Sequence, residues 1–149
     1  MQYFAKVLNL PPYNNIVDQV LSVTDSDCST EGGVIKESIG AAFLEALTGY
    51  SKWIMCYKGP TNRGVYPAPG DLWDPTNEIF YKFRPLDKDD WVCNSWTLNT
   101  TTGIWSPPIA RPALTPSEEE ANQIYRWDES AYEADTGSPK TLGWVLVNL

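Results

Sequence analysis

The sequence predicts an α+β fold, built mainly of antiparallel β-hairpins, with one amphipathic helix and a loop- and proline-rich C-terminal half. Three observations favour it. Short aromatic and β-branched runs alternate with clusters of turn residues, which is typical of hairpins. One segment repeats apolar residues at helical spacing. Ten of the twelve prolines lie from Pro60 to Pro139, a distribution that suits short strands with extended connections.

The N-terminal segment predicts a hairpin whose strands are residues 3–8 and 16–23. Both runs are rich in β-branched and aromatic residues. The connection, residues 9–15, contains two prolines and three asparagines. Because seven residues are long for a hairpin connection, we expect its tip to protrude. The polar residues 24–33 predict a loop.

The clearest helix runs from about Val34 to Thr48. Gly49 stands where a left-handed C-terminal cap is expected. A glycine inside a helix costs about 1 kcal/mol relative to alanine, so Gly40 predicts close packing at that point. The following residues, 52–57, predict a strand. We expect one face of the helix to pack on the strands, and this face consists of Ile35, Ile39, Phe43 and Leu47.

Three segments of the second half share a hairpin design. Residues 72–80 and 97–105 align without a gap. In these segments we expect the side chains of Asp74 and Asn99 to close a turn onto their own backbone. The aromatic residue six positions later should return to pack on the incoming strand. A third, weaker copy lies within residues 125–145 and carries a polar insertion.

The composition suggests two regions without independent folding. Residues 1–60 contain the N-terminal hairpin, helix and strand, and residues 61–149 form a β-hairpin and extended-arm region. The change in character lies near Lys58–Arg63. We expect the two regions to form one continuous structural unit. In the second region, Thr115–Glu118 is a capping box that opens a short helix.

The composition also excludes several classes of function. Among 149 residues, 11 are basic and 19 acidic, which gives a net charge of −8. This argues against nucleic acid as a partner, because phosphate binding needs clustered lysine and arginine. Histidine is absent, which removes the histidine-dependent triads and the usual zinc sites. We expect no membrane partner, since the apolar runs are far shorter than a membrane span.

The three cysteines, Cys28, Cys56 and Cys93, are widely spaced and form no CxxC motif. We expect three reduced thiols in a protein assembled in cytosol. One disulfide with one free thiol is the alternative.

We predict that the protein is not an enzyme. A glycosidase needs two carboxylates opposed across a cleft at roughly 5–10 Å. The acidic groups at 89–90, 118–120 and 128–129 are neighbours in sequence and do not provide this arrangement. Residues 87–90 lack the spaced ligands and closing glutamate of a calcium loop. We therefore expect no catalytic residue, no cofactor and no metal site.

Aromatic residues are the candidates for interaction. The chain has seven tryptophans, eight tyrosines and four phenylalanines. Exposed rings of this kind stack on sugars and anchor protein interfaces. The alternative for any single ring is that it fills a thin core between small hairpins. The candidate interaction residues are Trp73, Trp96, Trp105, Trp127 and Trp144.

Several motifs keep a common order along the chain. They are the opening hairpin at 4–7 and 16–20, an ESxGxxF helix at 37–43, the segments 62–66 and 72–80, SWTLN with WxPP at 95–99 and 105–108, and YxWDE with WV at 125–129 and 144–145. In this order the chain resembles a family of small virion structural proteins of marine tailed phages, of the cyanophage type. Extra residues around Pro11–Pro12 and a Pro67–Pro69 stretch depart from the family pattern.

The resemblance implies a non-enzymatic accessory structural protein of a tailed-phage virion, first of all a capsid decoration or cement protein. Alternatives are a tail-, baseplate- or fibre-associated protein, a carbohydrate-binding host-recognition module, or a small regulator that binds a host protein. The expected partners are other virion proteins in a capsid or tail lattice, bound through hairpin tips and proline-rich arms. Self-association is an open option. We expect assembly in the host cytoplasm and location in the virion.

Overall fold

The computed structural model describes residues 1–59 and 62–149. These residues form nine strands and three α-helices, and every strand pair is antiparallel. The expected α+β fold of antiparallel hairpins is therefore confirmed.

The strands are β1 (Gln2–Leu10), β2 (Tyr13–Val23), β3 (Trp53–Cys56), β4 (Leu72–Asp74), β5 (Ile79–Tyr81), β6 (Thr97–Leu98), β7 (Trp105–Ser106), β8 (Gln123–Trp127) and β9 (Trp144–Asn148). The α-helices are α1 (Glu37–Thr48), α2 (Pro116–Glu120) and α3 (Glu129–Ala134), and a 3-10 turn spans Ser26–Cys28.

The chain divides into two units. The first unit comprises Met1–Phe83 with Asn99–Ile104, and the second comprises Arg84–Leu98 with Trp105–Leu149. The sequence predicts a change in character near Lys58–Arg63. Within this stretch, residues 60 and 61 lie outside the part of the chain that the structure describes. Strands β4 and β5 join the sheet of the N-terminal hairpin, so they belong to the first unit.

The first unit is built on a five-stranded sheet with the order β3-β1-β2-β4-β5. Strands β1 and β2 pair almost to their ends, and Leu10 faces Tyr13. The expected protruding seven-residue connection is therefore wrong. Asparagines at the hairpin end are accommodated in the strands, since the Asn15 amide donates to Asn9 Oδ1 at 3.2 Å.

Alternate residues of β1 enter different core clusters. Phe4 packs on the α1 side of the sheet, whereas Ala5 and Val7 pack on the opposite side. This alternation follows from the two-residue period of a strand. The α1 side consists of Phe4, Val23, Cys28, Leu44, Trp53 and Met55, and the opposite side of Ala5, Val7, Val17, Cys56, Trp73 and Phe80.

Helix α1 turns a different face to the sheet from the one expected. Its buried residues are Gly40 and Leu44. Ile35, Phe43 and Leu47 are exposed and Ile39 is half-buried, so the expected packing of this stripe on the strands is wrong. The expected cap is confirmed, because Gly49 adopts φ 75°.

Gly40 explains the choice of face. A Cβ atom at this position would lie 2.3 Å from Phe4 Cζ and 3.0 Å from Cys28 Sγ. The absence of a side chain therefore lets the helix backbone approach the sheet, as Gly40 predicted. The part of α1 that is buried against the sheet is narrow and consists of Gly40 and Leu44. The wider set of apolar residues beside it therefore lies at the surface.

The repeated hairpin design is present in the described chain. The amides of Thr76 and Asn77 donate to Asp74 Oδ1 at 2.9 and 3.2 Å. The amides of Thr101 and Thr102 donate to the equivalent Asn99 Oδ1 at 2.9 and 3.0 Å. The turn-closing role expected of these two side chains is confirmed.

In the third hairpin, helix α3 lies between strands β8 and β9. Asp128 occupies the position that corresponds to Asp74, and it caps α3 by accepting from the Ala131 amide at 2.8 Å. In each hairpin the residue before this polar position pairs with a returning aromatic: Trp73 with Phe80, Leu98 with Trp105, and Trp127 with Trp144. The capping box of α2 at Thr115 is also confirmed.

Candidate functional site

One group of exposed apolar residues in the first unit begins just before α1 and continues along the helix. Val34 and Ile35 precede the helix and are exposed. On the helix itself, Phe43 is 39 % and Leu47 68 % exposed. Isolated exposed apolar residues are normal, whereas a group of neighbouring ones is typical of an interaction site. We call this set the α1 stripe: Val34, Ile35, Ile39, Phe43 and Leu47.

The α1 stripe stands on a fixed support. The Met55 amide donates to Glu37 Oε2 at 2.7 Å. Arg63 Nη2 donates to Glu37 Oε1 at 3.2 Å, and Arg63 Nη1 donates to the Met55 carbonyl at 3.0 Å. These bonds tie the first turn of α1 to strand β3. The stripe is therefore presented in a single orientation.

The acidic residues of α1 do not border the α1 stripe. Helix α1 carries two glutamates and no lysine or arginine. Glu45 lies at the surface, on the side away from the stripe. Glu37 is bound to Arg63, so neither glutamate gives the stripe an unpaired acidic border.

A second apolar group of the first unit lies at the end of the β1–β2 hairpin. Leu10, Tyr13 and Phe83 are exposed. The rings of Tyr13 and Phe83 meet edge to face, with centroids 4.9 Å apart. This contact fixes both rings, so little rotamer freedom is left to lose on binding.

Two of the five predicted interaction tryptophans are core residues. Trp73 is buried beside Phe80, with ring centroids 4.5 Å apart, and Trp127 is buried in the second unit. Trp105 is half-buried, and the Arg84 guanidinium lies 4.5 Å from its ring centroid. Neither Trp73 nor Trp127 offers a free face, so both are unsuited to the role predicted for them.

The remaining two predicted tryptophans meet Trp127 in the second unit. Ring centroids are 5.9 Å apart for Trp96 and Trp127, 6.1 Å for Trp96 and Trp144, and 5.2 Å for Trp127 and Trp144. Trp96 and Trp144 are half-buried. Sequence reasoning missed Trp91, which is 64 % exposed, because it lies in an acidic loop outside any repeat or motif.

Two buried carboxylates hold the second unit together. Glu129 accepts from the Ser95 amide and the Trp127 Nε1, both at 2.7 Å. Asp87 accepts from the backbone amides of Asp89, Trp91 and Glu129 at 2.8 to 3.0 Å. These oxygens are occupied by the protein's own donors. The two groups act as structural acceptors for the loops around them.

The pKa of Asp87 reflects this role. Burial alone would raise the pKa of this carboxyl, but the hydrogen bonds from the Glu129, Asp89 and Trp91 amides outweigh it and bring the pKa below its ordinary value. Asp87 therefore stays charged at neutral pH. A charged acceptor strengthens each amide bond that it receives.

The three cysteines are free and buried. Burial raises the pKa of Cys56 to about 12 and that of Cys93 to about 11. Burial also raises the pKa of Cys28. Because the thiolate is the reactive form, these thiols are poor nucleophiles.

Residues 1–59 and 62–149 contain no group of three acidic, cysteine or histidine side chains placed to hold a metal ion. None of the helices in the described chain combines the length and the apolar character that crossing a membrane requires.

Comparisons of this chain with protein-family models, with curated proteins and with solved structures find no match.

Proposed function

We propose that this chain is a non-enzymatic accessory structural protein of a tailed-phage virion, first of all a capsid decoration or cement protein. The observation that carries the proposal is the α1 stripe, of which Val34 and Ile35 just before the helix and Phe43 and Leu47 on it are exposed. The occupant we assign to it is a virion lattice protein. The order of sequence motifs supports the assignment of this chain to a virion. The α1 stripe supports a docking role within that virion.

The rigidity of the stripe favours docking. Association costs free energy for every side chain and segment that becomes ordered. Helix α1 is already ordered by its ties to β3 and by the close approach at Gly40. The Tyr13–Phe83 pair at the hairpin end is fixed in the same unit. The protein can therefore bind a lattice with little further ordering, and many copies on one particle add avidity.

The proline-rich segment has a smaller part in the proposal than the sequence suggested. Residues 107–115 form neither helix nor strand. Trp144 Nε1 donates to the Ile109 carbonyl at 2.7 Å, and Arg111 Nη2 donates to the Tyr125 carbonyl at 2.6 Å. The segment is thus bound to the β8–β9 hairpin. We assign lattice contact to the α1 stripe and the hairpin end.

The net charge supports an external position. A chain with a net charge of −8 is repelled by packaged DNA, so the outside of a capsid suits it better than the inside. In a tail, baseplate or fibre position, the same stripe would bind an assembly that has fewer subunits per particle than the capsid. Copy number therefore separates the two locations.

Quantitative mass spectrometry of purified virions tests the proposal. The particles are those of the phage whose genome encodes this chain, and copies are counted relative to the major capsid protein. Hundreds of copies per virion support capsid decoration. About six or twelve copies, as expected for a symmetric tail or neck ring, support the tail position. Absence of the chain from washed, intact particles contradicts the proposal.

A further inference from the structure

The second unit contains an open cleft beside the β8–β9 hairpin. Its volume is about 250 Å³. Its lining includes three tryptophans, Trp96, Trp127 and Trp144, of which Trp127 is buried, and three cationic residues, Lys88, Arg111 and Arg126. We call it the tryptophan cleft. Its residues all belong to the second unit, so it is independent of the α1 stripe and of the docking role proposed above.

The rings of the cleft form a tilted wall. The plane of Trp127 makes an angle of 79° with that of Trp96 and 76° with that of Trp144. Trp127 Nε1 donates to Glu129 and Trp144 Nε1 donates to the Ile109 carbonyl, each at 2.7 Å. These bonds fix two of the three rings. Trp96 Nε1 is buried and has no hydrogen-bond partner in the described chain.

The cationic groups differ in how far they are neutralised. Lys88 Nζ lies 2.6 Å from Asp89 and 3.6 Å from Asp128, so its charge is paired. Arg111 gives one donor to the Tyr125 carbonyl and lies 5.5 Å from the Trp144 ring centroid. A guanidinium has five N–H donors, so most of those on Arg111 remain.

Arg126 carries a positive charge that no carboxylate of the described chain pairs with. Its side chain is exposed and makes no hydrogen bond or ion pair with any described residue. The one carboxylate that lines the cleft is Asp87, whose oxygens accept from three backbone amides. Because Asp87 stays charged, Arg111 and Arg126 leave the lining with one net positive charge beyond the paired Lys88, in a chain whose net charge is −8. This local excess of positive charge favours an anionic ligand.

The shape of the wall selects the class of anion. Planar bases are held best between parallel rings, whereas the half-buried rings of Trp96 and Trp144 are inclined at 58° to each other. A sugar ring can place its apolar C–H face on one indole and its edge on the next. Pockets for drug-sized ligands measure about 300–1,000 Å³, so a cleft of this volume suits a smaller group such as one sugar unit. A carboxylate on that sugar can take both N–H donors of one arginine.

We propose that the tryptophan cleft binds a carboxylate-bearing sugar unit, such as a uronic acid residue of an acidic polysaccharide. The half-buried rings of Trp96 and Trp144 contact the sugar ring. Arg126 and the remaining donors of Arg111 bind its carboxylate.

Isothermal titration of the full-length protein with trigalacturonate tests the proposal. The matched neutral probe is maltotriose, and a third probe is adenosine monophosphate. Arg126→Gln removes the free guanidinium at an exposed position that no described contact stabilises. Lys36→Gln removes one positive charge from an exposed position in the first unit and serves as the control variant.

We expect trigalacturonate to bind and maltotriose to bind at least ten times more weakly. Because hydrogen bonds to charged groups contribute about 1.5–3 kcal/mol, Arg126→Gln should weaken trigalacturonate binding by about 10- to 100-fold. Lys36→Gln should leave it unchanged. Added salt should weaken binding to the unmodified protein, as expected for a charge pair at the surface.

Four results would overturn the proposal. They are no heat of binding with trigalacturonate up to about 10 mM, equal affinity for maltotriose, tighter binding of adenosine monophosphate, or an equal loss in Arg126→Gln and Lys36→Gln. None of these results bears on whether the chain is found in virions, so the two proposals fail separately.

Discussion

Two leucines of α1 provide a matched test of which helix face supports the fold. Leu44 is 1 % exposed and belongs to the cluster with Phe4, Trp53 and Met55, whereas Leu47 is 68 % exposed. Replacing either by alanine makes the same chemical change in the same helix, so the difference in helix propensity cancels. Only the loss of packing differs.

The expected free energies of unfolding differ by several kcal/mol. Leu44→Ala removes a buried side chain and leaves a cavity, which costs about 2–5 kcal/mol. Leu47→Ala changes an exposed position and should stay within about 0.5 kcal/mol of the unmodified protein. If Ile39, Phe43 and Leu47 instead packed on the strands, Leu47→Ala would carry the larger cost.

Urea unfolding, followed by far-UV circular dichroism, measures the difference. With a denaturant slope of about 2 kcal/mol per molar, Leu44→Ala should lower the transition midpoint by about 1 M or more. Leu47→Ala should leave the midpoint within about 0.3 M. Equal shifts for the two variants, or a larger shift for Leu47→Ala, would refute the assignment of the buried face.

Three further predictions concern packing, charge and thiol reactivity. Gly40→Ala should lower stability by about 2 kcal/mol, because overpacking of about 3 kcal/mol against Phe4 exceeds the gain of about 1 kcal/mol in helix propensity; higher stability by thermal unfolding would contradict the close approach. Asp87→Asn should cost about 1–3 kcal/mol at pH 7. Because hydrogen bonds lower the folded-state pKa of Asp87, its contribution is present above the unfolded pKa and is lost as the pH falls through the folded value. The difference between the two proteins should therefore shrink below about pH 4, and a constant difference from pH 7 to pH 2 would disprove it. Ellman's reagent at pH 8 should leave Cys56 and Cys93 unmodified in the folded protein and label them after unfolding; rapid labelling of the native chain would count against their raised pKa values.

Local chemistry made much of the fold predictable. The turns at Asp74 and Asn99 depend on a side chain that bonds to its own backbone two or three residues later, and that interaction is written in the sequence. The capping box at Thr115 and the left-handed Gly49 are local in the same way. The fold class followed from the alternation of such turns with short apolar runs.

The orientation of α1 could not be read from periodicity. Its apolar arc is wider than the part that the sheet can cover, so the sequence contains more than one acceptable packing face. The decision depends on the contact between Gly40 and Phe4, which are far apart in the chain. Gly40 indicated close packing, but the apolar stripe beside it was the stronger periodic signal and pointed to the wrong side.

The tryptophan cleft was only partly predictable. Its three tryptophans, Trp96, Trp127 and Trp144, were among the predicted interaction residues. Nothing in the sequence indicated that these three lie together and that Trp73 lies elsewhere. The grouping depends on the pairing of β8 with β9 and on the loop that places Trp96 beside them. The cations of the cleft carried no sequence signal, because Arg111 and Arg126 lie in segments without a charge cluster.

The α1 stripe is the surface that we propose binds a virion lattice. A double variant, Phe43→Gln with Leu47→Gln, makes the stripe polar while keeping good helix formers. Its matched control, Ser38→Gln with Glu45→Gln, places the same side chains at exposed positions of the same helix outside the stripe.

The direct measurement is the number of copies of each variant in purified particles, counted by quantitative mass spectrometry after infection with phage that carries it. We predict that the control double variant is incorporated at the level of the unmodified chain and that the stripe variant, although folded, is lost from the particles. Equal incorporation of the two variants would contradict the account.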